Sequence, residues 1–345
     1  METNLASFIR HAGRPTSKGS ALLAVLWLSA ALAAVAFSVA MSVRGETERV
    51  ATSEEDVRAY YLAQGAIQRA ILHVQWADSI RPADGGEPYF LPGQPSMRLE
   101  FPSGSTLVEV IPETSKLSLN LARPETLQGL MLILGANPDQ AASIAAGIVD
   151  WRTPRGPAEL TDFDQLYLSM QPSFRSPHAS FQDVEELLNI PGMTSDLFYG
   201  TWVRQGDAAQ SRLVPREGVK DCVSVFGSTD RFDVNSVRPA VLAAVGVSGD
   251  SIQALMDRRA AAPLLRQQDL TDFAQGDANL LNHISIGAHT LYTFRATARL
   301  RRPDGSLSDM KRVVSATVKL LPAGSSPETG AGADSFHILR WYDRG

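Results

Sequence analysis

The chain has 345 residues, enough for two or three compact units. Its 37 acidic and 32 basic side chains leave a net charge of −5, which argues against a dedicated nucleic-acid binder with its basic footprint. One cysteine, Cys222, excludes an intrachain disulfide and a cysteine-built zinc site.

Ser20 to Val43 reads SALLAVLWLSAALAAVAFSVAMSV and holds no charged residue. At about 1.5 Å rise per residue it crosses a hydrocarbon core of roughly 30 Å as a helix. A cleaved secretory signal has a shorter apolar region, about 7–15 residues, with its small-residue site behind it. An ordinary signal anchor fits the length. A prepilin-type leader fits better, because there a glycine precedes a retained apolar run, and Gly19 stands in that place. Arg10, Arg14 and Lys18 precede the span. The positive-inside rule then puts the N-terminus in the cytoplasm and the C-terminal part in the periplasm, with one pass through the inner membrane.

The helix is expected to continue to about residue 77. Val50, Val57, Tyr60, Tyr61, Ala63, Ile67, Ala70, Ile71 and Val74 recur at three- and four-residue steps. The face Val57, Tyr60, Ala63, Ile67, Ile71 and Val74 needs a sheet to pack on. Arg81 to Pro95 reads as loop. Ser96–Phe101 and Thr106–Ile111 read as a strand pair about a Pro102-Ser-Gly-Ser turn, with Met97, Leu99 and Phe101 on one face. A second pair follows near the C-terminus. Tyr292, Phe294, Ala296, Ala298 and Leu300 alternate with polar residues, then Pro303-Asp304-Gly305 turns the chain, then Val314, Ala316, Val318 and Leu320 alternate. Pro322 to Ser335 reads as loop and Phe336 to Tyr342 as a last strand. A helix on an antiparallel sheet is an α+β unit. The two strand pairs are far apart in sequence, so a large insert lies between them.

That insert, 114–287, reads as mainly helical and contains a weak repeat. Asn120-Leu-Ala-Arg123-Pro124 compares with Asn235-Ser-Val-Arg238-Pro239, each followed by a Gly turn (Gly135, Gly246) and a second helix near Asp139 or Asp250. Each Asn-x-x-Arg-Pro is expected to cap a helix. Phe181 to Phe198 resembles a helix–hairpin–helix around Pro191-Gly192, a motif that binds DNA backbone through its amides. Asp183, Glu185, Glu186 and Asp196 surround it and would repel phosphate, so a packing hairpin is the favoured reading.

The segment from Asp150 to Asp164 sets four carboxylates, Asp150, Glu159, Asp162 and Asp164, close in sequence. Calcium takes six to eight oxygens from such loops, although the spacing is not that of an EF-hand. The other reading is a solvated loop with Asp162 or Asp164 capping a short helix. No HExxH, GxSxG or P-loop is present, and the six histidines are scattered, so no enzyme is expected.

These segments, in order, resemble the minor pseudopilin K of bacterial type II secretion systems. The residues that carry the likeness are Ser20-Ala-Leu-Leu-Ala-Val-Leu-Trp27, Tyr60-Tyr61-Leu-Ala, Lys116-Leu-Ser-Leu-Asn120, Asp150-Trp-Arg, Pro154-Arg-Gly, Glu185-Glu-Leu, Pro191-Gly-Met and Asp233-Val-Asn-Ser. The resemblance implies a pilin-like α+β fold. A leader (1–19) precedes a transmembrane and amphipathic helix (20–77), which packs on a small sheet (96–113 and 288–345). A SAM-like or helix–hairpin–helix-like domain (114–287) is inserted between the strands. It implies cleavage by a prepilin peptidase between Gly19 and Ser20, methylation of the new N-terminus, and an assembly helix that includes Ala24, Trp27, Phe37, Tyr60 and Tyr61. Its partners would be minor pseudopilins of the I and J types, the major pseudopilin and the inner-membrane assembly platform, with no nucleic acid. Calcium is the one cofactor implied, held in the insert, with Asp150 and Glu159 the best-retained candidates; Thr153 and Arg155 stand where further acids are usual. Most pilin-like chains carry Glu at the fifth residue after the cut, and here that residue is Ala24. A buried charge without a partner is costly, and a subunit with nothing ahead of it needs no such carboxylate. The expected role is therefore the tip of a periplasmic pseudopilus, starting or capping its assembly. The alternatives are a membrane-anchored DNA-binding protein of an uptake system and a plain signal-anchored periplasmic protein.

Overall fold

The computed structural model describes residues 18–76, 90–91, 93–156, 158–206, 211–286, 290–321 and 336–343. The leader before Lys18, most of the 81–95 loop and all of the 322–335 loop lie outside these residues. Two compact units are present, Met1–Arg58 and Ala59–Gly345.

Helix α1, Lys18–Gln75, contributes to both units. In the first unit its side chains are exposed almost throughout, and Arg44–Glu48, Arg49–Glu46 and Arg58–Glu54 pair along its surface at helical spacing. In the second unit the buried stripe is Ala59, Leu62, Ala63, Ala66, Ile67, Ala70 and Ile71, with Tyr60 and Val74 partly covered. The expected face is thus right from Tyr60 onward, and alanines fill it. Val57, placed on that face by spacing, is half exposed in the first unit.

The stripe packs on a five-stranded sheet. β1 (Ser96–Phe101) and β2 (Gly104–Pro112) come from before the insert; β9 (Leu291–Leu300), β10 (Arg312–Leu320) and β11 (Phe336–Tyr342) come from after it. The order is β1-β2-β9-β10-β11 with antiparallel neighbours, so the insert leaves and returns between two central strands. Register sets Val108 against Ala296 and Ala296 against Val314, all facing α1. Small residues in the central strands let the helix approach. A Cβ on Gly104 would lie 2.2 Å from the Arg299 carbonyl oxygen and 2.7 Å from Leu62, so only glycine fits there.

The insert has its own hydrophobic core, separate from the helix–sheet core. It is built from two copies of one pattern. The first copy runs β3 (Leu117–Ser118), α2 (Pro124–Ile133), α3 (Pro138–Arg152), α4 (Asp162–Ser169), a 3₁₀ turn (Val184–Asn189), α5 (Ser195–Tyr199), the hairpin β4 (Thr201–Gln205) and β5 (Arg212–Arg216), α6 (Val219–Cys222) and β6 (Val223–Ser224). The second runs β7 (Phe232–Asp233), α7 (Pro239–Ala244), α8 (Gly249–Ala261), α9 (Gln267–Phe273), α10 (Ala278–His283) and β8 (Ile284–Ser285). In each copy the first and last strands pair in parallel, β3 with β6 and β7 with β8. Gly135 and Gly246 take φ of 96° and 89° after α2 and α7, where residues with a Cβ are strained.

The repeated asparagines do not cap the helices. Arg123 and Arg238 hold the N-cap positions without a side-chain cap, and Asn137 and Ser248 cap α3 and α8, which start near Asp139 and Asp250 as expected, with both aspartates in the first turn. Asn120 instead accepts from Phe181 N–H (2.7 Å) and donates to Phe181 C=O (3.1 Å). Asn235 does the same to Leu264, at 2.8 Å for each bond. One amide satisfies both main-chain groups of a distant residue, because a carboxamide matches a peptide's donor–acceptor pair. Arg152 of α3 donates to Ala122 C=O and Arg259 of α8 to Val237 C=O at corresponding places.

Candidate assembly interface

The apolar run of α1 presents its side chains outward. Trp27 is 74% exposed and Phe37 69%, and Ala24 lies on the same open surface. The helix is long and apolar enough to cross a membrane, and none of its most apolar window is buried within the chain. Gly19 and Ser20 lie in its first turns. Tyr60 and Tyr61 divide their tasks. Tyr60 packs against the sheet side beneath the Arg312 guanidinium, 5.9 Å from the ring centre, while Tyr61 is 64% exposed. A second exposed apolar face sits on the β4–β5 hairpin, where Trp202 pairs with Pro215 and Leu213 follows on the same side.

The four candidate carboxylates do not converge. Glu159 and Asp162 are exposed, and Asp150 and Asp164 are buried. Thr161 is the N-cap of α4, and Asp164 closes the capping box by accepting from Thr161 N–H, so Asp164 supports the cap without being the N-cap itself. Asp150 accepts from the Thr161 hydroxyl at 3.1 Å and faces Arg155 at 3.7 Å. His178 Nε2 lies 2.9 Å from Asp164, and Arg175 Nε lies 3.8 Å from its other oxygen. Burial works against the Asp164 carboxylate, but the His178 and Thr161 hydrogen bonds outweigh it and hold its pKa below the usual range. The buried Tyr167 phenol is pushed up by desolvation and by the charges of Asp150 and Asp164. Among the described residues no group of three or more His, Cys, Asp and Glu is placed to hold a metal ion. The residues present therefore do not fit the calcium that the resemblance implies, which needs six to eight converging oxygens.

The neighbouring motif residues serve the core. Trp151 stacks on Phe181 with centroids 5.8 Å apart, meets Tyr167 edge-on, and donates its indole N–H to Glu186 at 3.0 Å. At Pro191-Gly192 the first expected helix is a 3₁₀ turn, and the hairpin packs on α3, with Gly192 C=O accepting from Gln140 at 2.8 Å. Lys220 pairs with Glu185, and Arg340 pairs with Asp183. A cleft of about 500 Å³ between β2 and α8 is lined by Lys116, Arg238, Arg259 and Arg295. Each of these cations has a partner in the chain: Glu113, Glu217, Val237 C=O, and Glu109 with Asp221. Three of the four thus face carboxylates, and Arg259 donates to a carbonyl.

A family profile described as type II secretion system (T2SS), protein K matches residues 108–199, from β2 through α5. The fold matches a chain in the crystal structure of the GspK–GspI–GspJ complex from the type 2 secretion system of enterotoxigenic Escherichia coli. That match has a TM-score of 0.54 at 15% identity and covers 85% of this chain and 98% of the other. No curated protein matches. The profile marks residues 108–199 as similar to protein K, and the structural match shows the fold that the two chains share. The matched region takes in Asp150-Trp151-Arg152, at the end of α3, and Pro191-Gly192, in the hairpin that packs on α3. Asn120, Arg152 and His178 are the residues that sequence reasoning left without their roles. The Asn120/Asn235 repeat was the available signal, and His178 carried none.

Proposed function

We propose that this chain is the minor pseudopilin at the tip of a periplasmic pseudopilus and that it starts or caps assembly in type II protein secretion. The observation that carries this is the α1 surface: an uncharged, exposed apolar run with Ala24 where a carboxylate would serve a preceding subunit, joined to a pilin-like sheet. Prepilin peptidase cuts between Gly19 and Ser20, and the helix then leaves the bilayer to pack against neighbouring helices. That packing replaces the lipid contacts of each large apolar side chain, whose exposure to water would otherwise cost about 1.5–3 kcal/mol. The partners are I- and J-type pseudopilins, as in the complex that contains the matched chain, together with the major pseudopilin and the inner-membrane platform. The exposed Trp27, Phe37 and Tyr61 are the contact residues, while Tyr60 orders the subunit's own sheet.

The test is co-expression of the full chain with I- and J-type pseudopilins from one secretion system, then purification in detergent. A stable ternary complex is expected, with Ser20 as the N-terminal residue of the mature chain. Failure of the three to co-purify while each is present and folded overturns the reading.

A further inference from the structure

The two copies in the insert differ at one place that matters. In the second, Ala262 and Pro263 lead directly from α8 to the clamped Leu264. In the first, a long loop, 153–180, lies between α3 and the clamped Phe181, with the short α4 as the one helix among its described residues. A loop of that length costs entropy to order and needs a fastening.

The fastening is a cluster of the chain's own cationic and hydrogen-bonding groups. His178 is buried with φ of 44°, a left-handed conformation that L residues seldom adopt. Its Nδ1 lies 3.1 Å from the Asp150 carbonyl oxygen and its Nε2 lies 2.9 Å from the Asp164 carboxylate. In either tautomer one ring nitrogen donates to one of these two acceptors. Arg175 spans the loop, its Nη2 donating to Glu159 C=O at 2.6 Å while its Nε faces Asp164. Arg155 faces Asp150. Each buried carboxylate thus has a guanidinium against it, and a divalent ion placed between them would meet positive charge on two sides.

We propose that His178, Arg175 and Arg155 hold loop 153–180 in the role of a divalent cation, so that this insert folds independently of calcium. The inference stands on the loop geometry and not on the assembly role proposed above.

Two measurements on the full chain in detergent decide it. Thermal unfolding in millimolar calcium and in excess chelator should give midpoints within ~1 °C of each other. A clear rise with calcium overturns the proposal. Hydrogen exchange should quicken ~10-fold or more across 159–170 in Arg175→Gln and in His178→Phe, with Arg175→Lys close to the parent. Arg175 is partly exposed, so its variants test the fastening without emptying the core. Unchanged exchange in both Arg175→Gln and His178→Phe also overturns it.

Discussion

Glu113 joins the sheet to the insert, and its removal should be among the costlier single changes in the second unit. It sits just past β2, its side chain 4% exposed. One carboxylate oxygen accepts from Thr293 of β9 at 2.5 Å and from Lys116 Nζ at 3.3 Å; the other accepts from Ser224 of β6. Since Thr293 gives its one hydrogen to Glu113, Thr317 of β10 donates to Thr293 at 2.9 Å, so four segments share this carboxylate. Glu113→Ala leaves the Lys116 ammonium, 14% exposed, without its counter-ion, and leaves two buried hydroxyls without an acceptor. Breaking a buried ion pair costs about 3–5 kcal/mol. Glu113→Gln keeps the shape and one acceptor, and its loss should be nearer ~1–3 kcal/mol. Urea unfolding of the full chain in detergent, followed by tryptophan fluorescence, reads both. A loss below ~1 kcal/mol for Glu113→Ala would refute the claim that this carboxylate carries the junction.

Asn120→Ala and Asn235→Ala each remove a paired clamp and leave one buried main-chain N–H and C=O unsatisfied, so each should cost about 2–4 kcal/mol in the same unfolding assay. A strongly unequal pair would contradict the equivalence of the two copies. Cys222 is fully buried, and burial, then Glu217 and Asp221, push its thiol pKa up. The thiolate is the reactive form, so labelling by a thiol reagent at neutral pH should follow the unfolding rate and stay near zero in the folded chain. Rapid labelling under native conditions would disprove the burial.

Much of the architecture was open to reading in one dimension. The apolar run, the alternation in β9 and β10, and the Asn-x-x-Arg-Pro repeat all declare themselves, because burial of apolar surface has no direction and leaves a period. The same pattern misled at the polar positions. Thr293, Ser315 and Thr317 fall on the polar phase of their strands and read as solvent-facing, yet the insert and Glu113 cover them. Val57 kept the helical spacing and is still exposed.

The candidate site divides the same way. That α1 carries an uncharged apolar stem, with Ala24 where a carboxylate is usual, is a property of the residues alone. What the acidic segment does was a question for the tertiary structure. Four carboxylates near one another in sequence end as two exposed and two buried, and the buried pair meets His178 and Arg175 from beyond α4. Asn120 finds its partner 61 residues away and Asn235 finds its own 29 away. Hydrogen bonds and ion pairs need a specific distance and direction, and the folded chain sets both by bringing together segments whose separation in sequence carries no trace of the pairing.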